Sequence, residues 1–286
     1  DMEVINLYNS FDMKIHSTGK EEEYSGGNEA FRMKASENWQ RLYNSLTNEQ
    51  RKSWDAAYEP KNRAFLDANL SGIELAKWKY QRYIKDYLRC VASVDDNIGR
   101  LLDYLDEHGL TENTVIIYTS DQGFYLGEHG WYDKRFMYEE SLGMPLIIRY
   151  PQEISAGMTL DEMVLNLDFC PTILDYAGVE VPAEIQGESL RSLLRGHPSP
   201  QWRQMIYYHY YEYPHGWHDV KRHYGIRTQK FKLIHFYDDI DAKELYNLQQ
   251  DPHELNNVYG RPQLNGIQNE LETQLKELKN YYMDYE

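Results

Sequence analysis

One stretch near the middle of the chain restricts the possible folds more than any other. Residues 115–119 (VIIYT) are β-branched or aromatic without polar alternation, and they lead directly into Ser120-Asp121-Gln122-Gly123. A run of this kind predicts a central strand of a parallel sheet, covered on both faces. Ligands of open α/β sheets collect at the carboxyl ends of such strands. We therefore expect Asp121 and Gln122 to stand at a ligand site.

A glycine-rich loop with one histidine and one lysine follows this strand. It contains Leu126-Gly127-Glu128-His129-Gly130 and, further along, Lys134. The glycines let the backbone approach a ligand closely. His129 either takes part in the chemistry or orients the loop, whereas Glu128 is expected to anchor backbone amides. Lys134 taken alone would be a solvated surface lysine, but its place in this loop favours a functional role.

The residues before the strand predict two helices. Thr47-Asn48-Glu49-Gln50 has the form of a capping box that opens a helix, and Pro60 is expected to break that helix. A longer helix is predicted between Ile73 and His108, where apolar residues at steps of three and four form one core-facing stripe. Gly109 is the expected end of this helix. The stripe consists of Ile84, Tyr87, Val91, Val94, Ile98, Leu101 and Leu105.

The residues after Lys134 predict the rest of one domain and then a smaller one. Residues 144–150 predict a strand, residues 165–177 a helix, and Gly196-His197-Pro198-Ser199-Pro200 a linker. Beyond the linker, short aromatic runs and one apolar stripe predict a small antiparallel sheet with a terminal helix. The strands are expected at 205–211, 224–228, 231–237 and 244–248, and the helix at 264–278. We therefore predict two domains, 1–198 and 199–286.

Composition excludes several classes of function. The 30 basic and 46 acidic residues give a formal charge of −16 without a basic stripe, so no nucleic-acid partner is expected. No apolar run approaches the length of a membrane span, so no membrane partner is expected either. Cys90 and Cys170 lie far apart without metal-ligand spacing, which excludes a disulfide framework and leaves one bridge open.

Several motifs together carry a family resemblance. Thr119-Ser120-Asp121-Gln122-Gly123, the loop at 126–130, Lys134 and Met144-Pro145-Leu146-Ile147-Ile148 closely resemble the second metal-and-sulfate segment of type I, formylglycine-dependent sulfatases. The last third of the chain resembles the C-terminal subdomain of the bacterial members that desulfate carbohydrates. The motifs of this second likeness are Tyr224-Gly225-Ile226-Arg227-Thr228, Phe231-Lys232-Leu233-Ile234, Glu244-Leu245-Tyr246-Asn247-Leu248 and Asp251-Pro252-His253-Glu254.

The resemblance implies a fold, a cofactor and a reaction. The implied fold is an alkaline-phosphatase-like α/β domain, here incomplete, followed by a small antiparallel sheet and a terminal helix. One calcium ion is implied, with Asp121 and Gln122 as two ligands in a shell of about six to eight oxygens. Lys134 is implied to contact the sulfate, and His129 is a catalytic candidate. The implied substrate is a sulfated carbohydrate or an aryl sulfate, and a periplasmic or secreted location is expected.

The family's nucleophile motif is not found in the sequence. Its formylglycine is made from a Cys or Ser that opens a Cys/Ser-x-Pro/Ala-x-Arg motif. Cys90, Cys170 and Ser199 do not open such a motif. We therefore expect the chain to be the C-terminal portion of a sulfatase, inactive by itself. A missing N-terminal segment of the same protein would supply the formylglycine and the remaining calcium ligands.

A stretch rich in histidine and tyrosine, between two predicted strands of the tail, is a second candidate region. Such a loop could hold sugar rings by stacking and hydrogen bonds, and His218, Arg222 and His223 are the candidate substrate contacts. The alternative is an aromatic core and rim for the small sheet. A zinc site lacks supporting ligand spacing. The other members of the stretch include His209, His215 and Trp217.

Two other classes of function stay open at this point. Phosphodiesterases and phosphatases share the implied architecture, and would carry a Thr or Ser nucleophile with a second metal shell. The loop that ends at Lys134 favours sulfate over phosphate. A non-catalytic glycan-binding module derived from a sulfatase would fit the absent nucleophile motif. Saturable binding of sulfated oligosaccharides without hydrolysis would favour that module.

Overall fold

The computed structural model describes residues 41–214, 220–238 and 240–285. None of the helices in those ranges combines the length and the apolar character that crossing a membrane requires. The α-helices are α1 (Asn48–Ala68), α2 (Gly72–Glu107), α3 (Glu139–Leu142), α4 (Phe169–Tyr176), α5 (Arg191–Leu194) and α6 (Asn265–Tyr281). The strands are β1 (Ile116–Thr119), β2 (Tyr125–Leu126), β3 (Tyr132–Asp133), β4 (Leu146–Arg149), β5 (Met205–Tyr210), β6 (His223–Thr228), β7 (Phe231–Phe236) and β8 (Ala242–Asn247).

The described residues divide into two compact units. One contains residues 41–99 and 126–132, and the other contains residues 100–125 and those from 133 onward. The first unit is built on α1 and most of α2, and the second holds β1, β4 and the C-terminal sheet. The domain boundary expected after residue 198 stays a prediction.

Helix α1 begins as the sequence predicts and ends later than it predicts. The capping box is present, because Thr47 Oγ1 accepts the Gln50 amide at 3.2 Å and Gln50 Oε1 accepts the Thr47 amide at 2.8 Å. The prediction that Pro60 breaks this helix is wrong, since Pro60 lies inside it. Tyr58 and Asn62, on either side of Pro60, are buried and bonded to α2. These contacts outweigh the missing hydrogen bond at proline.

Helix α2 confirms the predicted periodic segment but not its predicted burial. Gly109 ends it with φ 67°, and the Leu110 amide donates to Leu105 O at 2.8 Å. None of the seven residues of the expected core-facing stripe, all of which the structure describes, is buried. Val91, Val94 and Leu101 are exposed, and the other four are partly buried. Periodicity establishes that one face of a helix is apolar, and it does not identify what covers that face.

Strand β1 forms a two-stranded antiparallel sheet with β4, in the register Ile116↔Arg149 to Thr119↔Leu146. The expectation of a central parallel strand covered on both faces is therefore wrong for the part of the chain that the structure describes. Tyr118 is 37% exposed on the outer face. The inner face is packed, because Leu146 and Ile148 contact a buried cluster. That cluster consists of Leu190, Leu193, Leu194 and Trp202.

The C-terminal sheet confirms the predicted antiparallel arrangement. Its order is β5-β6-β7-β8, and every neighbouring pair is antiparallel. The hairpin between β6 and β7 turns at Gln229-Lys230 as the sequence predicts. Leu271 and Leu275 of α6 pack on one face of the sheet. Their buried partners on the sheet are Ile226, Leu233 and Leu245.

Candidate functional site

Asp121 and Gln122 lie directly after β1, as the sequence predicts. Asp121 is exposed and Gln122 is partly buried. Gly123, the next residue, is buried and donates its amide to Ser141 O at 2.9 Å. A Cβ atom at Gly123 would lie 2.1 Å from the carbonyl oxygen of Glu140, so this close approach of two backbones requires glycine. The turn that carries the two candidate ligands is thus fixed against residues 140–143.

The chemistry of Asp121 and Gln122 fits a calcium ion. A carboxylate and an amide oxygen are ligands that calcium accepts, and two of them fill a minor part of a shell of about six to eight. No group of three His, Cys, Asp or Glu side chains is arranged to hold a metal in the described ranges 41–214, 220–238 and 240–285. The assignment of Asp121 and Gln122 as calcium ligands therefore stays a prediction.

The glycine-rich loop holds His129 in an unusual backbone conformation. His129 has φ 56°, in the left-handed region that few residues other than glycine adopt. Its ring stacks on Trp131 with a centroid distance of 5.4 Å. Glu128 Oε2 accepts the Leu126 amide at 2.6 Å, which confirms the predicted anchoring role of Glu128. The two roles considered for His129, chemistry and loop orientation, both stay predictions.

Lys134 lies in a compact group of charges. Its Nζ atom is 3.3 Å from Oδ1 of Asp133, and the other oxygen of Asp133 is 2.5 Å from Nη1 of Arg135. The Lys134 side chain is 32% exposed to solvent. One carboxylate thus orients two cations, and Nε of Arg135 also lies 3.9 Å from Oε2 of Glu212.

Asp133 and Arg135 are residues that the sequence analysis did not select. Both have positive φ, 77° for Asp133 and 104° for Arg135. Backbone strain of about 1–3 kcal/mol per residue persists only where surrounding contacts enforce it, and it concentrates at functional sites. The signal available in the sequence was the acid between the glycine loop and two consecutive basic residues, Asp133-Lys134-Arg135.

The candidate substrate contacts of the tail lie in different environments in the structure. His223 is fully buried, its Nδ1 atom is 2.8 Å from Lys221 O, and burial lowers its pKa to about 4. Its ring packs 4.9 Å from Phe236 and 5.9 Å from Phe136. His223 thus belongs to the aromatic core that was the alternative interpretation, and we do not carry it forward as a substrate contact.

The other two candidates from this stretch are only partly described. Arg222 is 29% exposed, and its Nε atom donates to Tyr213 O at 2.5 Å. Its Nη1 atom is 3.5 Å from Oδ2 of Asp238. His218 lies outside the described residues. Contacts of Arg222 and His218 with a substrate stay predictions.

Comparison with protein-family models gives two matches that together span most of the chain. Residues 13–179 match the sulfatase model, and residues 127–281 match the model of the N-sulphoglucosamine sulphohydrolase C-terminal region. The first match contains Asp121, Gln122, His129 and Lys134, and the second contains the C-terminal sheet.

Individual relatives agree with these matches. An N-acetylglucosamine-6-O-sulfatase of Bacteroides thetaiotaomicron is 54% identical over 245 residues, which are 85% of this chain and 44% of that protein. The solved structure of BT4656 in complex with its substrate D-glucosamine-2-N,6-O-disulfate superposes with a TM-score of 0.86 at 48% identity. That match covers 100% of this chain and 56% of the solved chain.

A phosphonate monoester hydrolase from Silicibacter pomeroyi is also similar, with a TM-score of 0.66 and 27% identity. The match covers 76% of this chain and 44% of the hydrolase. The chain therefore spans about half the length of the relatives that it resembles. These comparisons confirm the sulfatase resemblance and the alkaline-phosphatase-like fold. The chain belongs to the sulfatase family.

Proposed function

We propose that the protein containing this chain is a carbohydrate sulfatase that hydrolyses the 6-O-sulfate ester of an N-acetylglucosamine or a related glucosamine. The observation that carries the proposal is the 54% identity to an N-acetylglucosamine-6-O-sulfatase over 85% of the chain. Similarity to a solved structure that contains D-glucosamine-2-N,6-O-disulfate supports the same class of substrate. Aryl sulfates, the other substrate class considered from the sequence, are less directly supported.

We assign to Lys134 the direct contact with the sulfate group of the substrate. Its ammonium is a compact cation on a flexible stem, suited to an oxyanion whose negative charge is spread over several oxygens. Asp133, 3.3 Å away, limits the directions in which Lys134 can point. The Arg135 guanidinium on the same carboxylate adds positive charge beside the position of the anion.

The assignment of Lys134 is tested by sulfate release from N-acetylglucosamine-6-sulfate by the intact protein. Loss of one group that stabilises transition-state charge costs about 10²–10³-fold in kcat, and we expect a loss of that order for Lys134→Ala. Lys276→Ala is the matched control, since Lys276 lies exposed on α6. Undiminished turnover by Lys134→Ala would remove the lysine from the site. Faster hydrolysis of the corresponding phosphate ester would favour the phosphatase alternative.

We also propose that Asp121 and Gln122 hold part of a calcium site. Bound calcium would supply positive charge at the sulfate oxygens. Asp121 contributes an exposed carboxylate beside the fixed Gly123 turn, and Gln122 contributes an amide oxygen. The remaining ligands and the formylglycine are proposed to come from another segment of the same protein.

The calcium assignment has a readout that does not depend on activity. Isothermal titration calorimetry should give weaker calcium binding for Asp121→Asn than for the unmodified intact protein. Asp161→Asn, which changes an exposed carboxylate elsewhere, should bind calcium normally. The 286-residue chain by itself should bind calcium weakly. A tight, stoichiometric site on that chain would contradict the proposed division of the ligands.

A further inference from the structure

The residues that follow Lys134 lie directly on the C-terminal sheet. The carbonyl oxygen of Arg135 accepts the Tyr208 hydroxyl of β5 at 2.7 Å. Met137 is fully buried, and a Cβ atom on Gly225 of β6 would lie 2.5 Å from its sulfur. Glycine at this position of β6 therefore makes the room that the methionine occupies.

The next side chain continues this contact. Tyr138 is buried and donates its hydroxyl to Oε2 of Glu244, on β8, at 2.7 Å. Burial beside the Glu244 carboxylate raises the pKa of Tyr138, so its hydroxyl stays protonated and donates. Residues 135–139, together called the platform segment, thus contact all four strands of the sheet, with Glu139 contacting Lys232 of β7.

The platform segment ends in a buried cluster of charges. Nζ of Lys232 is 2.8 Å from Oε1 of Glu139 and 2.8 Å from Oε1 of Glu254. The other oxygen of Glu254 accepts the Glu139 amide at 2.7 Å. Arg227 completes the cluster with contacts of 3.0 Å and 3.2 Å to the two Glu139 oxygens. Two acids and two bases leave the cluster formally neutral.

Burial makes each charge of this cluster depend on its partners for stability. The side chains of Lys232 and Glu254 are both 0% exposed. Burial acts to raise the pKa of Glu139, but Arg227 and Lys232 outweigh it and lower that pKa to about 2. Burial raises the pKa of Glu254. Charges this deep are tolerated only with well-placed partners, and removing one partner is far more costly than an exposed pair would suggest.

Three of the four members of the cluster come from the motifs that carried the resemblance of the C-terminal residues. Arg227 belongs to the motif at 224–228, Lys232 to that at 231–234, and Glu254 to that at 251–254. These motifs have no part in the chemistry proposed above. All three instead supply side chains that converge on Glu139, which lies 88 to 115 positions earlier in the chain.

We propose that the cluster of Glu139, Lys232, Glu254 and Arg227 is a positioning device for Lys134. By fixing the platform segment to the sheet, it fixes the backbone that begins immediately after Lys134, including the strained Arg135. The inference rests on the proposed function, because it assumes that Lys134 contacts the sulfate. A displacement of about 1 Å in such a group can reduce a rate about 10²-fold.

The test compares two lysines of the same sheet in the intact protein. Lys232→Met removes the centre of the cluster. Lys243→Met is the control, since Lys243 of β8 pairs with Glu272 of α6 at 3.0 Å and has no part in the cluster. At a temperature where circular dichroism shows both variants folded, we expect Lys232→Met to lower kcat roughly 10- to 100-fold. Lys243→Met should stay within about twofold of the unmodified protein.

Hydrogen exchange separates positioning from general loosening. Peptides covering residues 133–140 should exchange faster in Lys232→Met, while peptides of α6 keep their protection. If Lys232→Met does not fold, Arg227→Met serves instead, because Arg227 is 22% exposed and its loss leaves the Lys232 pairs in place. Arg227→Met should show the same two effects to a smaller degree. Glu254→Gln keeps an oxygen for the Glu139 amide and should retain more activity than Glu254→Leu.

Three results would overturn the proposal. They are normal kcat in Lys232→Met, unchanged exchange at 133–140, or equal activity of Glu254→Gln and Glu254→Leu. Each can be distinguished from failure of the proposed function, which Lys134→Ala tests separately. Loss of activity in Lys134→Ala with normal kcat in Lys232→Met rejects only the positioning device. Full activity in Lys134→Ala rejects the sulfate contact itself.

Discussion

Replacing Gly123 with alanine should destabilise the turn that follows β1. A Cβ atom at this position would lie 2.1 Å from Glu140 O and 2.5 Å from Gly143 O. Both neighbours are backbone atoms, so the methyl group fits only if one chain segment moves away from the other. That movement also disturbs the 2.9 Å hydrogen bond from the Gly123 amide to Ser141 O.

The size of the effect follows from these two contributions. Overpacking costs about 1–3 kcal/mol, and a weakened buried hydrogen bond adds about 1 kcal/mol. We therefore expect Gly123→Ala to lower the free energy of unfolding by about 2–4 kcal/mol. With an unfolding entropy of about 2.1 cal/mol/K per residue, the corresponding fall in Tm for a chain of 286 residues is roughly 3–7 °C.

Differential scanning calorimetry measures this shift, and Gly99→Ala is the matched control. Gly99 lies inside α2, where an added Cβ meets nothing within 4 Å. Alanine there should be neutral or should stabilise the helix by up to about 1 kcal/mol. Equal melting temperatures for the two variants would refute the argument that the Gly123 backbone contact requires glycine.

Two further predictions concern ion pairs of the same unit. Arg203→Met should cost about 3 kcal/mol by chemical denaturation, because it leaves the fully buried Asp168 carboxylate without the guanidinium that now lies 2.7 Å from it. Adding Asp168→Asn should restore part of that loss, and a single variant as stable as the unmodified chain would contradict the prediction. Hydrogen bonds from Arg191 and then Arg195 lower the pKa of Glu153 to about 2. The stabilisation from Glu153 is therefore complete above its unfolded pKa of about 4.3 and is lost as pH falls towards 2. Glu153→Gln should flatten the stability profile over that window, and identical acid profiles would count against the pairing.

The sequence predicts those features of the fold that depend on neighbouring residues. The Thr47 capping box, the end of α2 at Gly109 and the hairpin at Gln229-Lys230 are each encoded within a few positions. Their geometry follows from side-chain hydrogen bonds or from the turn chemistry of a short segment. The structure confirms all three.

Several features that depend on distant residues were not predicted. The helix continues through Pro60 because Tyr58 and Asn62 bond to another helix. Contacts of this kind cannot be read from the residues next to the proline. His223 was a candidate substrate contact because it lies in a stretch rich in histidine and tyrosine, yet it is buried among aromatic rings.

The buried charge cluster shows the same limit at the candidate site. Lys232 resembles any other lysine of a strand until its pairing with Glu139 is known. The C-terminal motifs indicated the family, but the sequence assigned no role to Arg227, Lys232 or Glu254 within them. Asp121, Gln122 and Lys134 were selected because the spacing of the loop that contains them is distinctive, and their roles stay predictions.

The most direct test of the account is a crystal structure of the intact protein with N-acetylglucosamine-6-sulfate bound. The account predicts that a sulfate oxygen lies within hydrogen-bond distance of Lys134 Nζ. It also predicts a calcium ion coordinated by Asp121 and Gln122. A sulfate bound away from Lys134, or a calcium ion held without Asp121, would contradict it.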